Sequence, residues 1–233
     1  SFFAGLVDSE NFKINGGQGD DGQVLTSTGS GVAWEAAGGG VTFKEGGTNF
    51  TNSLMVGDDA TGTLDNAQKN TALGIDVFAA LTTGDNNVAV GFEALKANTT
   101  GSGNTSLGGS SLVANTTGAS NVAVGTDTMG SNTEGATNTA VGLSALYANT
   151  TGSNNIAIGH DSLRFNTTAS GNTAVGKKAL YSTTTSGNNT AVGFQAGDAI
   201  TTGDQGTYIG QDAGGAGTTG SNTAVGAVAL TTQ

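Results

Sequence analysis

The stretch NTAVGLSALYANTTGSNNIAIGHDSL, residues 138–163, states one phrase twice: Asn138–Gly142 is answered by Asn155–Gly159, seventeen residues on. The interval holds along most of the chain. A glycine closes the phrase at Gly57, Gly74, Gly91, Gly108, Gly125, Gly142, Gly159, Gly176, Gly193 and Gly210, and again at Gly226 after a step of sixteen. A fixed period of this length marks an array of stacked structural units.

With the repeat glycine as position 0, columns of like residues emerge. Position −1 is aliphatic at Leu73, Val90, Leu107, Val124, Val141, Ile158, Val175, Val192, Ile209 and Val225. Position +4 is large and apolar at Phe78, Leu95, Leu112, Met129, Leu146, Leu163 and Leu180. Both columns are read as core, so Val141 should be interior and Ser144, at position +2, exterior. Position −2 is nearly always Ala and position −3 always β-branched, which is strand chemistry with alternating faces. Position +8 is Thr from Thr82 to Thr218, which suits a turn or a second short strand. Repeated glycines and β-branched residues disfavour helix. The chain therefore reads as all-β, a parallel β-solenoid of seventeen-residue coils, each with two strands of about five residues and two turns. Like residues stack roughly 4.8 Å apart, so ten coils make a rod of about 48 Å. The absence of Pro fits continuous ladders.

Composition narrows the function classes. The 233 residues include 41 Gly, no Pro, no Cys and 11% charged residues. No disulfide or thiolate metal site is available, and no apolar run approaches the length of a membrane span. The net charge is −11 with only seven Lys and Arg, so a nucleic-acid partner is not expected. Ser1–Val7 lacks the features of an intact signal peptide. A start at Ser and an end within the motif suggest a processed or truncated piece.

Three regions are expected: residues 1–40 as an N-terminal attachment region, 41–52 as a lead-in, and 53–233 as the roll. In the first, Gln23–Ser27 and Val32–Ala36 read as a hairpin around Thr-Gly-Ser-Gly. Gly38–Gly40 reads as a flexible joint. Each roll has so thin a core that lateral association into a homotrimer is expected, with the Ala columns as the small-residue faces along which backbones approach.

The phrase N-T-A-V-G-x-x-A-L, at Asn138–Leu146 and Asn172–Leu180, resembles repeats in the head domains of trimeric autotransporter adhesins and in fibre proteins of marine, cyanophage-like tailed phages. The adhesin repeat is shorter, and the agreement with phage fibres is closer. GDDGQVLTSTGSGVAWEA, residues 19–36, resembles a short module of phage fibre and virion proteins. The resemblance implies a left-handed roll, three chains about one axis, and a non-enzymatic role in a tail or capsid fibre. Its partners would be itself, other virion proteins through the N-terminal region, and a host surface glycan. An extracellular filament or cell-surface adhesin subunit is the alternative, and an ice-binding solenoid a further one. The adjacent threonines, as at Thr99-Thr100, point to opposite sides of an extended chain and so do not form a two-rank ice-binding array.

Candidate chemistry is sparse, and no cofactor or catalytic group is expected. His160 is the only histidine, so no other imidazole is present to serve a nucleophile. Asp76, Glu93, Asp127, Asp161 and Asp212 share position +2, but Ser110, Ser144, Lys178 and Gln195 interrupt the column. That pattern suits a solvated face better than a calcium site. Asp20-Asp21 and Asp58-Asp59 read as loop residues, and Trp34 as a packing anchor or, less simply, a sugar platform. Sequons at Asn98, Asn115 and Asn149 follow from an Asn/Thr-rich repeat. The sharpest constellation is Tyr147, Arg164 and Tyr181, which occupy position +5 in successive coils with His160 and Lys177 nearby. It reads either as a self-stabilising ladder, the preferred reading, or as a glycan-contacting ridge.

Overall fold

The structure, a computed structural model, describes residues 23–27, 32–36, 42–45, 50–51, 54–57, 66–215 and 221–231. The chain divides into two units, residues 1–42 and 43–233. In the first, β1 (Gln23–Ser27) and β2 (Val32–Ala36) pair antiparallel, with Gln23 opposite Ala36 and Ser27 opposite Val32. Trp34 stands in β2 opposite Leu25. The Gly38–Gly40 joint, Ser1–Val7, Asp20-Asp21, Asp58-Asp59 and Thr218 lie outside the described residues.

From the boundary at Thr42 onward come β3 (Thr42–Glu45), β4 (Phe50–Thr51), β5 (Leu54–Gly57), β6 (Ala67–Gln68) and β7 (Thr71–Gly74). Nine three-residue strands follow: β8 (Val88–Val90), β9 (Thr105–Leu107), β10 (Val122–Val124), β11 (Thr139–Val141), β12 (Ile156–Ile158), β13 (Thr173–Val175), β14 (Thr190–Val192), β15 (Thr207–Ile209) and β16 (Thr223–Val225). A twelve-strand sheet runs from β16 to β7 in unbroken order and then to β5 and β3, while β4 and β6 form a separate pair. Pairing is parallel from β5 through β16 and in perfect register, Val122 beside Thr139 beside Ile156. The steps from Leu54 to Thr207 are all seventeen residues. The protein is an all-β parallel solenoid with about nine such coils.

Each coil contains one strand of three residues and a long curled return, rather than the two strands expected. Left-handed backbone torsions recur at positions +2, +4 and −5, as at Glu93 (φ 57°), Leu95 (φ 50°) and Ser120 (φ 58°). They coil the chain too tightly for a second strand. Interchain-style ladder bonds nevertheless continue through the return. Gly91 and Glu93 N–H donate back to Leu73 and Ile75, each at 2.9 Å, whereas Leu95, Ala97 and Thr99 donate forward to Ser111, Val113 and Thr116 at 3.0–3.1 Å. A left-handed Leu is an unusual backbone state, with a cost of about 1–2 kcal/mol. It aims the side chain into the coil, where burial contributes a similar amount.

The repeat glycine is required by close approach of successive coils. A Cβ on Gly108, whose φ is +140°, would stand 2.4 Å from the Gly125 carbonyl oxygen. Gly226, in the last coil described, would meet nothing.

The interior is the main correction to the sequence reading. Position −2 is inside: Ala89, Ala123, Ala140, Ala157, Ala174 and Ala191 are fully buried. They face Leu95, Leu112, Leu146, Leu163 and Leu180, also fully buried, with small residues at position +3 between them. The position −1 column, Leu73, Val90, Leu107, Val124, Val141, Ile158, Val175, Val192, Ile209 and Val225, points outward and is half-buried or exposed. Alternation along a three-residue strand allows only one of the two neighbours to face inward. The space between the strand and the left-handed return admits opposite Leu a residue no larger than Ala or Ser. Accordingly Val141 is 36% exposed and Ser144 7%, the reverse of the expected order. The Ala columns are enclosed and cannot serve as faces for association.

Two ladders of buried asparagine line this thin interior. At position −4, Asn87, Asn104, Asn121, Asn138, Asn155 and Asn172 each accept on Oδ1 the backbone N–H of the equivalent residue one coil on, at 2.9–3.0 Å. At position +7, Asn115, Asn132, Asn149 and Asn166 donate Nδ2–H to Oδ1 of the preceding member at 2.7–2.8 Å. Each ladder leaves an unpaired buried atom where its sequence pattern stops, at Asn166 Oδ1 and Asn189 Nδ2. The next residues in the second ladder are Thr183 and Ile200. The coils are thus joined through their middles by amides as well as along their backbones.

Candidate functional site: the outer surface of the rod

The outer face of the long sheet is made by positions −3 and −1 of every strand. From β7 to β16 position −3 holds Thr, Val or Ile, position −1 holds Leu, Val or Ile, and neither column contains a charged residue. Leu73, Leu107, Val141, Ile158, Val192 and Ile209 are among its exposed members. Position +1 extends the face with Ile75, Phe92, Leu143 and Phe194, which are exposed, and with His160 and Lys177. Three columns about 6.8 Å apart over ten strands about 4.8 Å apart give a footprint of roughly 600 Å². One partner in a standard protein interface contributes an area of that order.

A second surface lies beyond the inward-pointing positions +3 and +4. There the Arg164 guanidinium carbon stands 5.4 Å from the Tyr147 ring centre and 5.9 Å from that of Phe165. Arg164 also pairs through Nη1 with Asp161 Oδ1. Tyr147 lies over the previous coil, where a Cβ on Gly130 would come within 2.9 Å of its ring. Tyr181 does not complete a stack on Arg164. It meets the edge of Phe165 at 5.0 Å between ring centres, 77° apart in plane, and its ring carries Lys178 Nζ at 5.0 Å. The expected three-residue column is two linked clusters, joined by Phe165.

His160 and Lys177 belong to position +1 beside the sheet, away from this ridge in the repeat. His160 Nδ1 lies 3.3 Å from Asp161 Oδ2. Phe165 and Lys178 were not singled out in the sequence, yet a signal existed. Position +6 is Ala or Ser in every other coil, from Ala80 and Ala97 to Ser182 and Ala199. A Phe there breaks the pattern.

The sequon asparagines Asn98, Asn115 and Asn149 are members of the inner ladder and fully buried. Each amide nitrogen donates within the coil, at 2.9 Å to Gly101, Gly118 and Gly152 oxygens. A glycan cannot be attached there without opening the rod. The paired threonines are also divided in role. The first, as at Thr99 and Thr116, donates its hydroxyl to the carbonyl one coil on, at 3.0 Å. In these pairs only the second is exposed, so they form no two-rank array.

Among the described residues no three His, Cys, Asp or Glu side chains come together, and no helix is long and apolar enough to cross a membrane. Lys96 bridges Glu93 at 2.7 Å and Asp76 at 3.1 Å, joining two members of the acidic column. These hydrogen bonds donated by Lys96, that to Glu93 foremost, raise its pKa above the ordinary value. Comparison with protein-family models, curated proteins and solved structures returns no match.

Proposed function

We propose that this protein is a non-enzymatic structural rod, a segment of a fibre in which parallel copies pack side by side along the outer sheet face. The observation that carries the reading is the uncharged aliphatic face itself. Two columns of threonine and aliphatic side chains, uninterrupted over ten strands, with position +1 beside them, reach the upper end of the apolar patches found on monomers, where such patches mark contact surfaces. Its regular, in-register rise suits a second sheet of the same pitch, and the most available partner with that pitch is another copy of the chain. Three copies about one axis close the face completely, which is the arrangement implied by the repeat's resemblance to fibre and adhesin-head sequences. The same resemblance supports a place in a virion, with the N-terminal region attaching the rod to other virion proteins.

Sedimentation and electron microscopy of the intact chain test this reading. The expected result is a short parallel trimer of bounded length. A folded monomer at low micromolar concentration would sink the proposal, and indefinitely long particles would favour the extracellular-filament alternative.

A further inference from the structure

We infer that the ridge formed by Tyr147, Arg164, Phe165, Lys178 and Tyr181 is a docking site for an acidic polysaccharide. The first observation is electrostatic. Residues 135–197 contain three of the seven Lys and Arg, the only histidine, and a single acidic residue, Asp161. That segment carries +2, and the remainder of the chain, with four basic and seventeen acidic residues, carries −13. The segment is flanked by Glu134 and Asp198, and Lys177 belongs to position +1 beside the sheet, so the ridge itself carries Arg164 and Lys178 against Asp161 in an otherwise acidic chain.

The second observation is packing. Phe165 is 43% exposed at a position filled elsewhere by Ala or Ser, so the solenoid does not require it. Tyr147 is 37% exposed beside it, and the third tyrosine of the chain, Tyr208, is wholly buried in the core. Exposed aromatic faces stack on the apolar faces of sugar rings. A guanidinium and an ammonium lie over the rings of Tyr147 and Tyr181, 5.4 Å and 5.0 Å from their centres, and retain N–H donors for a carboxylate or sulfate on the sugar. The salt bridge to Asp161 orients Arg164 without neutralising Lys178. The ridge runs over three successive coils along the rod, from Tyr147 to Tyr181, which matches a linear chain better than a compact ligand. The site lies on a single rod, so its test is independent of how many copies assemble.

Binding of the intact protein to size-defined chondroitin sulfate and polygalacturonate oligosaccharides decides the matter, with neutral dextran, poly-L-glutamate and single-stranded DNA as controls. The expected result is selective binding of at least one acidic saccharide. Phe165→Ala with Tyr181→Ala should weaken it at least about tenfold, with the melting curve and assembly size retained. Lys178→Gln, which keeps every ring, should weaken binding and reduce its dependence on salt. Failure of the unmodified protein to bind either acidic saccharide would overturn the inference. So would equal affinity for poly-L-glutamate or DNA, which means attraction by charge alone, or unchanged binding by both variants.

Discussion

Asn132 illustrates how much of the rod's cohesion rests on single side chains. Its Nδ2 donates to Asn115 Oδ1 at 2.7 Å and to Gly135 O at 3.0 Å, and its Oδ1 accepts from Asn149. Replacing it with Ala leaves Asn115 Oδ1 buried without a partner, at a cost of about 1–3 kcal/mol, and removes one bond each from Gly135 O and Asn149 Nδ2, which keep Asn121 and Gly152 as partners. Asn166 is the last of its ladder, and its Oδ1 has no donor already. Asn132→Ala should therefore lower stability more than Asn166→Ala by about 1 kcal/mol in chemical denaturation, the contribution of the one extra bond from Asn149; equal losses would show that the ladder is not coupled. Lys96 supplies a second test. A raised folded-state pKa means that its contribution is complete below the unfolded-state value of about 10.5 and disappears as pH rises through the folded-state value. Lys96→Met should abolish whatever part of the stability loss above that pH comes from this group, an effect kept small by solvent.

At the scale of a coil, Tyr208 shows why the core was only half legible. It occupies the Ala column, and where it does so the flanking Leu positions are Gly197 and Gly214 and the Asn position is Gly206. A Cβ on Gly214 would sit 2.2 Å from the Tyr208 ring and one on Gly206 2.3 Å from its hydroxyl. Four departures from the repeat, each inexplicable alone, compensate for one another in volume. Ser106 and Ser111 do the same on a smaller scale, replacing an Ala pair and hydrogen-bonding to each other. Tyr208→Ala should cost several kcal/mol, in the range of large-to-small core changes. Adding Gly197→Leu and Gly214→Leu should recover much of it, because Leu already adopts the left-handed backbone at that position in other coils; a triple variant no better than the single one would refute this packing account. The period, the strand position, its parallel stacking and the N-terminal hairpin were all readable from spacing. The inward face was not, because Val and Leu outrank Ala in hydrophobicity while only Ala fits. Nor was the curled return, which depends on left-handed torsions at a +2 position of mixed residue type and at a +4 position held mostly by Leu, a residue that rarely adopts them.

For the molecule as a whole, neighbouring residues of one strand separate folding from association. Ala140 is fully buried and Val141 is 36% exposed. Ala140→Asp should abolish folding, since an unpaired carboxylate would enter an apolar space too narrow for it. Val141→Asp together with Val175→Asp should leave the circular dichroism spectrum of a folded rod while shifting the sedimenting species to monomers. Loss of structure in the second variant would mean that the outer face is needed to fold as well as to assemble, coupling stability to protein concentration.

The unbroken seventeen-residue step has a hereditary consequence. A tandem duplication of fifty-one nucleotides, three for each residue of a coil, inserts one complete coil wherever its breakpoint falls, because the inserted glycine, alanine, leucine and asparagines all arrive in register. The rod can then lengthen or shorten between generations in increments of about 4.8 Å, while most other insertions displace every column beyond them. Replication slippage becomes a length adjustment with discrete settings.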